Sequence, residues 1–357
     1  MSLRVVIALA LLGAGPGFAE PATENIDFHD TYEASKGEKE LATEQYEQAY
    51  GTYSKLAAET SDPGLATVAG ARAAVALGLQ EGMYEQGLER ARAITDRPCS
   101  VQAQMQLMVA NEDYQKLLDA FADEDIAVWP KRTLPKLWHF GRQDLRALAL
   151  ADRARAYLET GNAEAAVRDA EKALEFADGE RHKLKILSFL GSHVYRRTLR
   201  DPDKTFETDM RIVELDAGHA TTLQARIDAA AYLRVGKRYD EALAMLGSDW
   251  KTSQSRHWFT RGMPALAETL AAAGRFGEAA DAYRIMAEAD DKRTNKAHRS
   301  WAALRMAAML AEAGDSDAAG MVYTDLLARN DVSEDDREQA KAALAELLSG
   351  LKGGSDQ

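Results

Sequence analysis

One cysteine, Cys99, stands among 357 residues, so no internal disulfide can staple this chain and its fold must rest on packing. Cys99 follows Pro98 and reads as a small residue at a helix start rather than as a reactive thiol. Proline, at 8, and glycine, at 25, are too sparse for a fibrous or linker-like protein, whereas 66 alanines favour helices. Basic residues are outnumbered, with 44 Lys and Arg against 57 Asp and Glu and a net charge of −13. That balance leaves no cationic footprint for a phosphate backbone, and nucleic acid is not an expected partner. No uncharged apolar run approaches the roughly 20 residues that a bilayer-spanning helix needs, so no integral membrane span is expected.

Signatures of catalysis are missing as well. No Gly-x-Ser-x-Gly elbow, Walker loop or dinucleotide fingerprint occurs, and Gly70, Gly78, Gly82 and Gly87 are spaced for helix contact and a turn rather than for phosphate. The histidines are scattered without the neighbours of a local metal site, and the separation of His182 from His193 along one helix would be about 16 Å, too far for one ion. No metal and no cofactor is expected. The acidic pairs Asp290-Asp291 and Asp335-Asp336 could be pictured as the acid and base of a glycosidase, which keeps a helical-toroid glycan-processing enzyme or glycan-binding protein as the alternative reading. Their polar turn contexts suit helix caps better, and 7% aromatic content is thin for a sugar-lined cleft. The chain is expected to be non-catalytic.

What is present begins with an address. Arg4, the apolar run Val5 to Leu12 and the small residues Gly17 and Ala19 compose a secretory signal, with a cut expected after Ala19 and a periplasmic or secreted product. The organisation expected from there is a signal peptide over 1–19, a flexible segment over 20–37, N-terminal helix hairpins over 38–122, an irregular connector over 123–146, C-terminal hairpins with a capping helix over 147–349, and a disordered tail over 350–357. The connector is marked by Trp129-Pro130, Leu134-Pro135 and Trp138-His139-Phe140, which break the helical rhythm.

Downstream of Glu38 the apolar residues recur at helical spacing and almost nothing alternates like a strand. Four segments share a helix, a Gly-centred turn and a second helix: Ala154 to Leu174 about Gly161, Ala230 to Leu243 about Gly236, Leu266 to Tyr283 about Gly274, and Met306 to Tyr323 about Gly314. Another unit fits between Gly161 and Gly236, with Leu187, Leu190, Gly191 and Val194 on its first helix and Phe206, Met210 and Val213 on its second. Weaker copies lie at Tyr46 to Leu56, Gly82 to Ile94 and Asn111 to Phe121. This pattern resembles the tetratricopeptide repeat over roughly Glu38 to Leu348, although the closing proline is mostly absent and the spacing exceeds the ideal of about 34. The resemblance implies an all-α, right-handed superhelical solenoid of helix-turn-helix repeats. Ala154, Gly191, Ala267 and Ala307 then fall where helices touch, and Tyr283 and Tyr323 fall between adjacent hairpins.

Such an array implies a protein or peptide partner held on the wall of first helices. The register puts Arg155, Tyr195, Arg196, Arg234 and Trp301 on that wall, with Trp258 near the start of the Gly274 hairpin. Arginine and aromatics dominate interface hot spots, and Arg155, Arg196 and Arg234 would form a ladder suited to an acidic or C-terminal segment. The expected function is a protein-interaction scaffold of the periplasm or cell envelope.

Overall fold

The computed structural model describes residues 28–131, 133–137, 141–215, 220–330 and 332–354. The signal over 1–19, residues 20–27 of the segment after it, Trp138-His139-Phe140 and the last three residues of the tail lie outside the described residues. Within them the chain is an array of paired helices, each pair packed on the next. The pairs are α1 (Phe28–Ala42) with α2 (Tyr46–Glu59), α3 (Pro63–Gly78) with α4 (Tyr84–Arg92), α5 (Arg97–Ala110) with α6 (Tyr114–Phe121), and α7 (Leu145–Glu159) with α8 (Ala163–Phe176). There follow α9 (Glu180–Ser188), prolonged by a π-helical stretch over Phe189–Leu199, with α10 (Pro202–Leu215), then α11 (Ala220–Val235) with α12 (Tyr239–Leu246). The last pairs are α13 (Arg256–Ala272) with α14 (Phe276–Ala287) and α15 (Lys296–Glu312) with α16 (Ser316–Ala328), and α17 (Glu334–Gly354) closes the array.

A single backbone device makes every hairpin. Two residues before each second helix the chain turns through the left-handed region, at Glu44, Gly82, Glu112, Gly161, Arg200, Lys237, Gly274 and Gly314. Glycine enters that region freely and other residues at a cost, so only half of the turns carry the glycine that makes them visible in sequence. The sixth turn corrects the expected register by one residue, because Lys237 with φ 58°, not Gly236, takes the left-handed conformation. Measured from Arg200, the next two intervals are then 37 and 37 residues.

Both ends of the array differ from expectation. Helix α1 begins at Phe28, inside the 20–37 stretch read as flexible, and α17 runs to Gly354, past the boundary set at 349. Leu344 and Leu347 of α17 reach Gly320 of α16, and a helix nucleated on a neighbour extends at little further cost.

The connector holds the only strands among the described residues. Strands β1 (Thr133–Leu137) and β2 (Gly141–Asp144) pair antiparallel, with Thr133 opposite Asp144 and Leu134 opposite Gln143. Pro135 is tolerated because both strands of a two-stranded sheet are edges, where a missing N–H breaks no ladder on the free side. Strand β1 packs on α1, and β2 packs on α7 and α9.

Buried side chains show where the array is continuous. One cluster runs from Val68 to Tyr195 and includes Ile126, Trp129 and Leu145, so the core passes through the 123–146 connector without a break. Another runs from Ala230 to Ala302, and a third from Ala303 to Ala340. Between the first two lie only Leu184, Leu187, Ile212 and Ala225. The thin place in the core is therefore at α10 and α11, not at the connector. Ala154, Ala267 and Ala307 are fully buried and Gly191 meets Thr208 of α10, as small residues at helix contacts should.

Candidate functional site

At that thin place α10, rather than the first helix before it, carries the packing against α11, and a cavity of about 540 Å³ opens between them. The π-helical stretch supplies its first wall. There Asp201 N–H reaches back to the Tyr195 carbonyl at 2.9 Å and Thr198 Oγ1 donates to the His193 carbonyl at 2.9 Å, so the chain carries more residues per turn than an α-helix. The stretch ends in left-handed Arg200, after which Asp201 caps α10 by accepting from Lys204 N–H at 2.9 Å.

Arg196 crosses the cavity. Its guanidinium donates to Asp209 of α10 at 3.1 Å and to Asp228 of α11 at 2.7 Å, and Gln224 donates to the other oxygen of Asp228 at 2.8 Å. Beside this bridge the rings of Phe206 and Tyr232 stack with centroids 4.5 Å apart. A smaller cavity of about 260 Å³ adjoins it between α11 and α13, and Ala231 lines both. There Arg234 donates to Glu268 at 2.6 Å. Two further guanidiniums line the pair of cavities, Arg200 in the larger and Arg261 in the smaller. Both are exposed. Arg196 and Arg234 are thus neutralised within the groove, while Arg200 and Arg261 are the cations it offers outward.

Of the expected wall residues, Arg196 and Arg234 come together in adjoining cavities. The others do not join them. Arg155 is exposed on α7 with its guanidinium over the Tyr114 ring at 6.0 Å, and it lines neither cavity. Tyr195 is only 8% exposed and belongs to the first core cluster. Successive residues are splayed by about 100° around a helix, so with Arg196 facing the cavity its neighbour must face elsewhere. Trp301 is half-buried and meets Tyr283 edge-on at 5.6 Å, filling space between the last two hairpins, and Trp258 meets His257 edge-on at 4.5 Å. A free arginine ladder is also corrected: carboxylates pair with its second and third members, since a guanidinium in a partly desolvated groove is costly to leave unpaired. Asp228 and Glu268 carried a readable signal, for Asp228 follows Arg196 by 32 residues and Glu268 follows Arg234 by 34, about one repeat, whereas Asp209, 13 residues from Arg196, carried none.

Burial sets the protonation of Asp209. Only 6% exposed, and with Asp228 adding repulsion, its carboxyl is pushed from 3.8 up to about 7 despite the attraction of Arg196. The folded protein therefore holds a proton there that the unfolded chain releases near pH 4. The stability from this group is complete below the unfolded value and is lost as pH rises through about 7. Asp209→Asn should flatten that part of the profile, by up to about 4 kcal/mol between pH 4 and pH 8. Urea melts of both proteins across that range check it, and parallel profiles would mean that Asp209 ionises normally. Buried His182, pushed from 6.5 down to about 4, contributes the opposite slope in both proteins.

No grouping of His, Cys, Asp and Glu suited to a metal ion occurs among the described residues. Asp290 accepts from Arg293 N–H at 3.1 Å and Asp291 pairs with Arg299 at 2.6 Å. Asp335 and Asp336 sit in the first turn of α17, where Ser333 accepts from Asp336 N–H at 3.1 Å. These carboxylates serve turns and a helix start on different hairpins.

No protein-family model matches the chain, and no curated protein matches it either. Among solved structures it is similar to the TPR domain of P58(IPK), at 17% identity over 92% of this chain and 100% of that one, with a TM-score of 0.28. It is also similar to a tetratricopeptide repeat protein from Parabacteroides merdae, at 12% identity over 88% of this chain and 98% of that one, with a TM-score of 0.30. The eight left-handed turns and the stacked pairs are what establish the helical-repeat architecture of this chain. No helix among the described residues is long and apolar enough to cross a membrane.

Proposed function

We propose that this chain is a non-catalytic interaction scaffold that takes a partner's extended segment along the groove between α9 and α13. The carrying observation is that two adjoining cavities share Ala231 and form one trough, walled by side chains from α10, α11, α13 and the π-helical stretch. Inside it Arg196 and Arg234 are held rigid by their carboxylates, and the Phe206–Tyr232 stack offers an apolar surface beside them. Arg200 lines the larger cavity and Arg261 the smaller, with their charges available to carboxylates of a partner. The sequence over 1–19 supports a site of action in the periplasm or cell envelope.

The structure also selects the variants for the test. Reversing Arg196 or Arg234 would set a carboxylate against Asp209, Asp228 or Glu268 and disturb the fold itself. Arg200→Glu with Arg261→Glu alters exposed charges instead. In a crosslinking capture from native envelopes, the double variant should lose the partners that the parent retains, with an unchanged urea melt, and capture by the parent should weaken as salt rises. Equal capture by both proteins would rule the trough out as the binding face.

A further inference from the structure

Two consecutive hairpin turns differ in charge from the other turns of the array. They are Arg196-Arg197-Thr198-Leu199-Arg200 and Arg234-Val235-Gly236-Lys237-Arg238, each with three cations and no acid. Each contains the left-handed residue of its turn, Arg200 in the first and Lys237 in the second. The turns of the first four hairpins and of the last carry acids instead, at Glu44, Glu81, Glu112, Glu159 and Asp315. At the remaining turn, between α13 and α14, Arg275 is tied to Glu278 at 2.6 Å. The two basic turns are neighbours in space. Arg200 and Tyr232 line one cavity, and the Tyr232 hydroxyl donates at 2.5 Å to Asp203, just past the first of the two turns.

Each basic turn also presents one aliphatic side chain to water, for Val235 is 83% exposed and Leu199 48%. Around them Arg197, Arg200 and Lys237 are exposed, and none of the three pairs with a carboxylate among the described residues. The other cations of the two turns are engaged, Arg196 and Arg234 by the trough carboxylates and Arg238 by Glu241 at 2.7 Å. Acids that follow the turns are engaged too: Asp201 caps α10, Asp203 accepts from Tyr232, and Asp240 acts on Arg275 of the next turn. Exposed apolar side chains elsewhere lack this company. Met321 of α16, 69% exposed, stands between Asp317 and Asp325, one helical turn away on either side.

We propose that these two turns form a peripheral docking surface for an anionic lipid bilayer, with Leu199 and Val235 in the interfacial layer and Arg197, Arg200 and Lys237 at the level of the phosphates. Charge selects an anionic occupant, and shape selects a bilayer over a folded protein. Leucine and valine are weak anchors in protein interfaces, and Arg197, Leu199, Val235 and Lys237 line neither cavity, so no hollow beside them receives a partner's side chains. A bilayer offers an apolar layer behind a plane of phosphates and needs no complementary pocket. The net charge of −13 opposes this little at physiological salt, because screening over about 8 Å leaves the phosphates sensing mainly the turns that touch them. This surface stands independently of partner binding in the trough.

The test reads the turn itself, with a polarity-sensitive fluorophore attached to the full chain at Val235→Cys. The native thiol, Cys99, is only 1% exposed and does not compete for the label. Vesicles of phosphatidylcholine with about one-third phosphatidylglycerol should shift the emission to the blue, and vesicles of phosphatidylcholine alone should not. Adding Arg197→Glu and Lys237→Glu, which touch no trough residue's partner, should leave the urea melt unchanged and raise the lipid concentration at half-shift at least tenfold. The same label at Met321→Cys should stay unshifted. No shift at Val235→Cys, an equal shift with the neutral vesicles, or an unchanged half-shift in the charge-reversed chain overturns the proposal. An equal shift at Met321→Cys overturns it as well, since residues 1–19, common to every chain compared, or the label would then be what reaches the bilayer. If the label at Val235→Cys stays silent while the charge-reversed chain loses proteins captured from native envelopes, the turns belong to a protein partner and the proposal fails.

Discussion

Arg153→Met is expected to destabilise the protein by about 3–5 kcal/mol, while Arg155→Met, two residues on, should change stability by no more than about 0.5 kcal/mol. Arg153 is 8% exposed and holds three parts of the chain at once. Its Nε and Nη2 form a two-pronged pair with Asp169 of α8 at 2.5 and 3.2 Å. Its Nη1 donates to the carbonyls of Phe121, Ala122 and Glu124, at 3.1, 3.3 and 2.8 Å, where α6 ends and the connector begins. The Phe121 and Glu124 carbonyls also accept from the N–H groups of Glu124 and Ile126, so the guanidinium is their second donor, and it meets the negative end of the helix dipole. Removing it leaves the Asp169 carboxylate, only 3% exposed, with the more distant Arg168 at 3.8 Å as its ion partner. Arg153→Met combined with Asp169→Leu should recover part of the loss, because the stranded charge goes while the charge-assisted bonds to the three carbonyls stay lost. Chemical denaturation of the three variants decides this, and a loss below about 1 kcal/mol for Arg153→Met would mean that the bridge is dispensable.

How far the sequence could be read follows from which interactions are local. Helical periodicity depends on neighbours three and four residues apart, so the pairing of helices and the contact alanines were legible from Ala154 to Ala307. Turn glycines were legible at Gly161, Gly274 and Gly314, but the same turn built on Glu44, Glu112, Arg200 or Lys237 has no glycine to mark it. The connector was legible as a break and not as a hairpin, since Trp129-Pro130 and Leu134-Pro135 end helical spacing without supplying strand alternation. Arg153 and Arg155 were indistinguishable in kind, and only the position of Asp169 on the neighbouring helix separates a buried bridge from an exposed charge.

The candidate trough was legible only in outline. Arg196 and Arg234 stand on first helices, as the register required. Their neutralisation depends on partners 13 to 34 residues away, including Asp209 on a second helix that the register had not assigned to the wall. The π-helical stretch that aims Arg196 has no composition of its own. Opposite charges about one repeat apart are the general signal, and the same rule locates Glu38 of α1 with Arg72 of α3, 34 residues apart.

Gly87→Ala should be as damaging as the loss of Arg153, at about 3 kcal/mol, although it adds one methyl group. Helices α3 and α4 cross with Gly78 against Gly87, and a Cβ on Gly87 would lie 2.4 Å from the Gly78 Cα, 2.6 Å from its nitrogen and 2.9 Å from the Ala74 carbonyl. All three obstacles are backbone, so no rotamer can yield and the helices themselves must separate. That separation would be transmitted to Leu88 and Ala91, both fully buried in the cluster that also contains Met105 and Leu107. At Gly51 of α2, nothing lies within 4 Å of an added Cβ, so Gly51→Ala should instead stabilise by about 0.5–1 kcal/mol through helix propensity. In an array whose units couple mainly to their neighbours, damage at α3 and α4 should open the first hairpins before the last ones. Amide exchange of Gly87→Ala should therefore rise over 46–110 and stay unchanged over 296–328, whereas a uniform rise would show that the array unfolds as one unit.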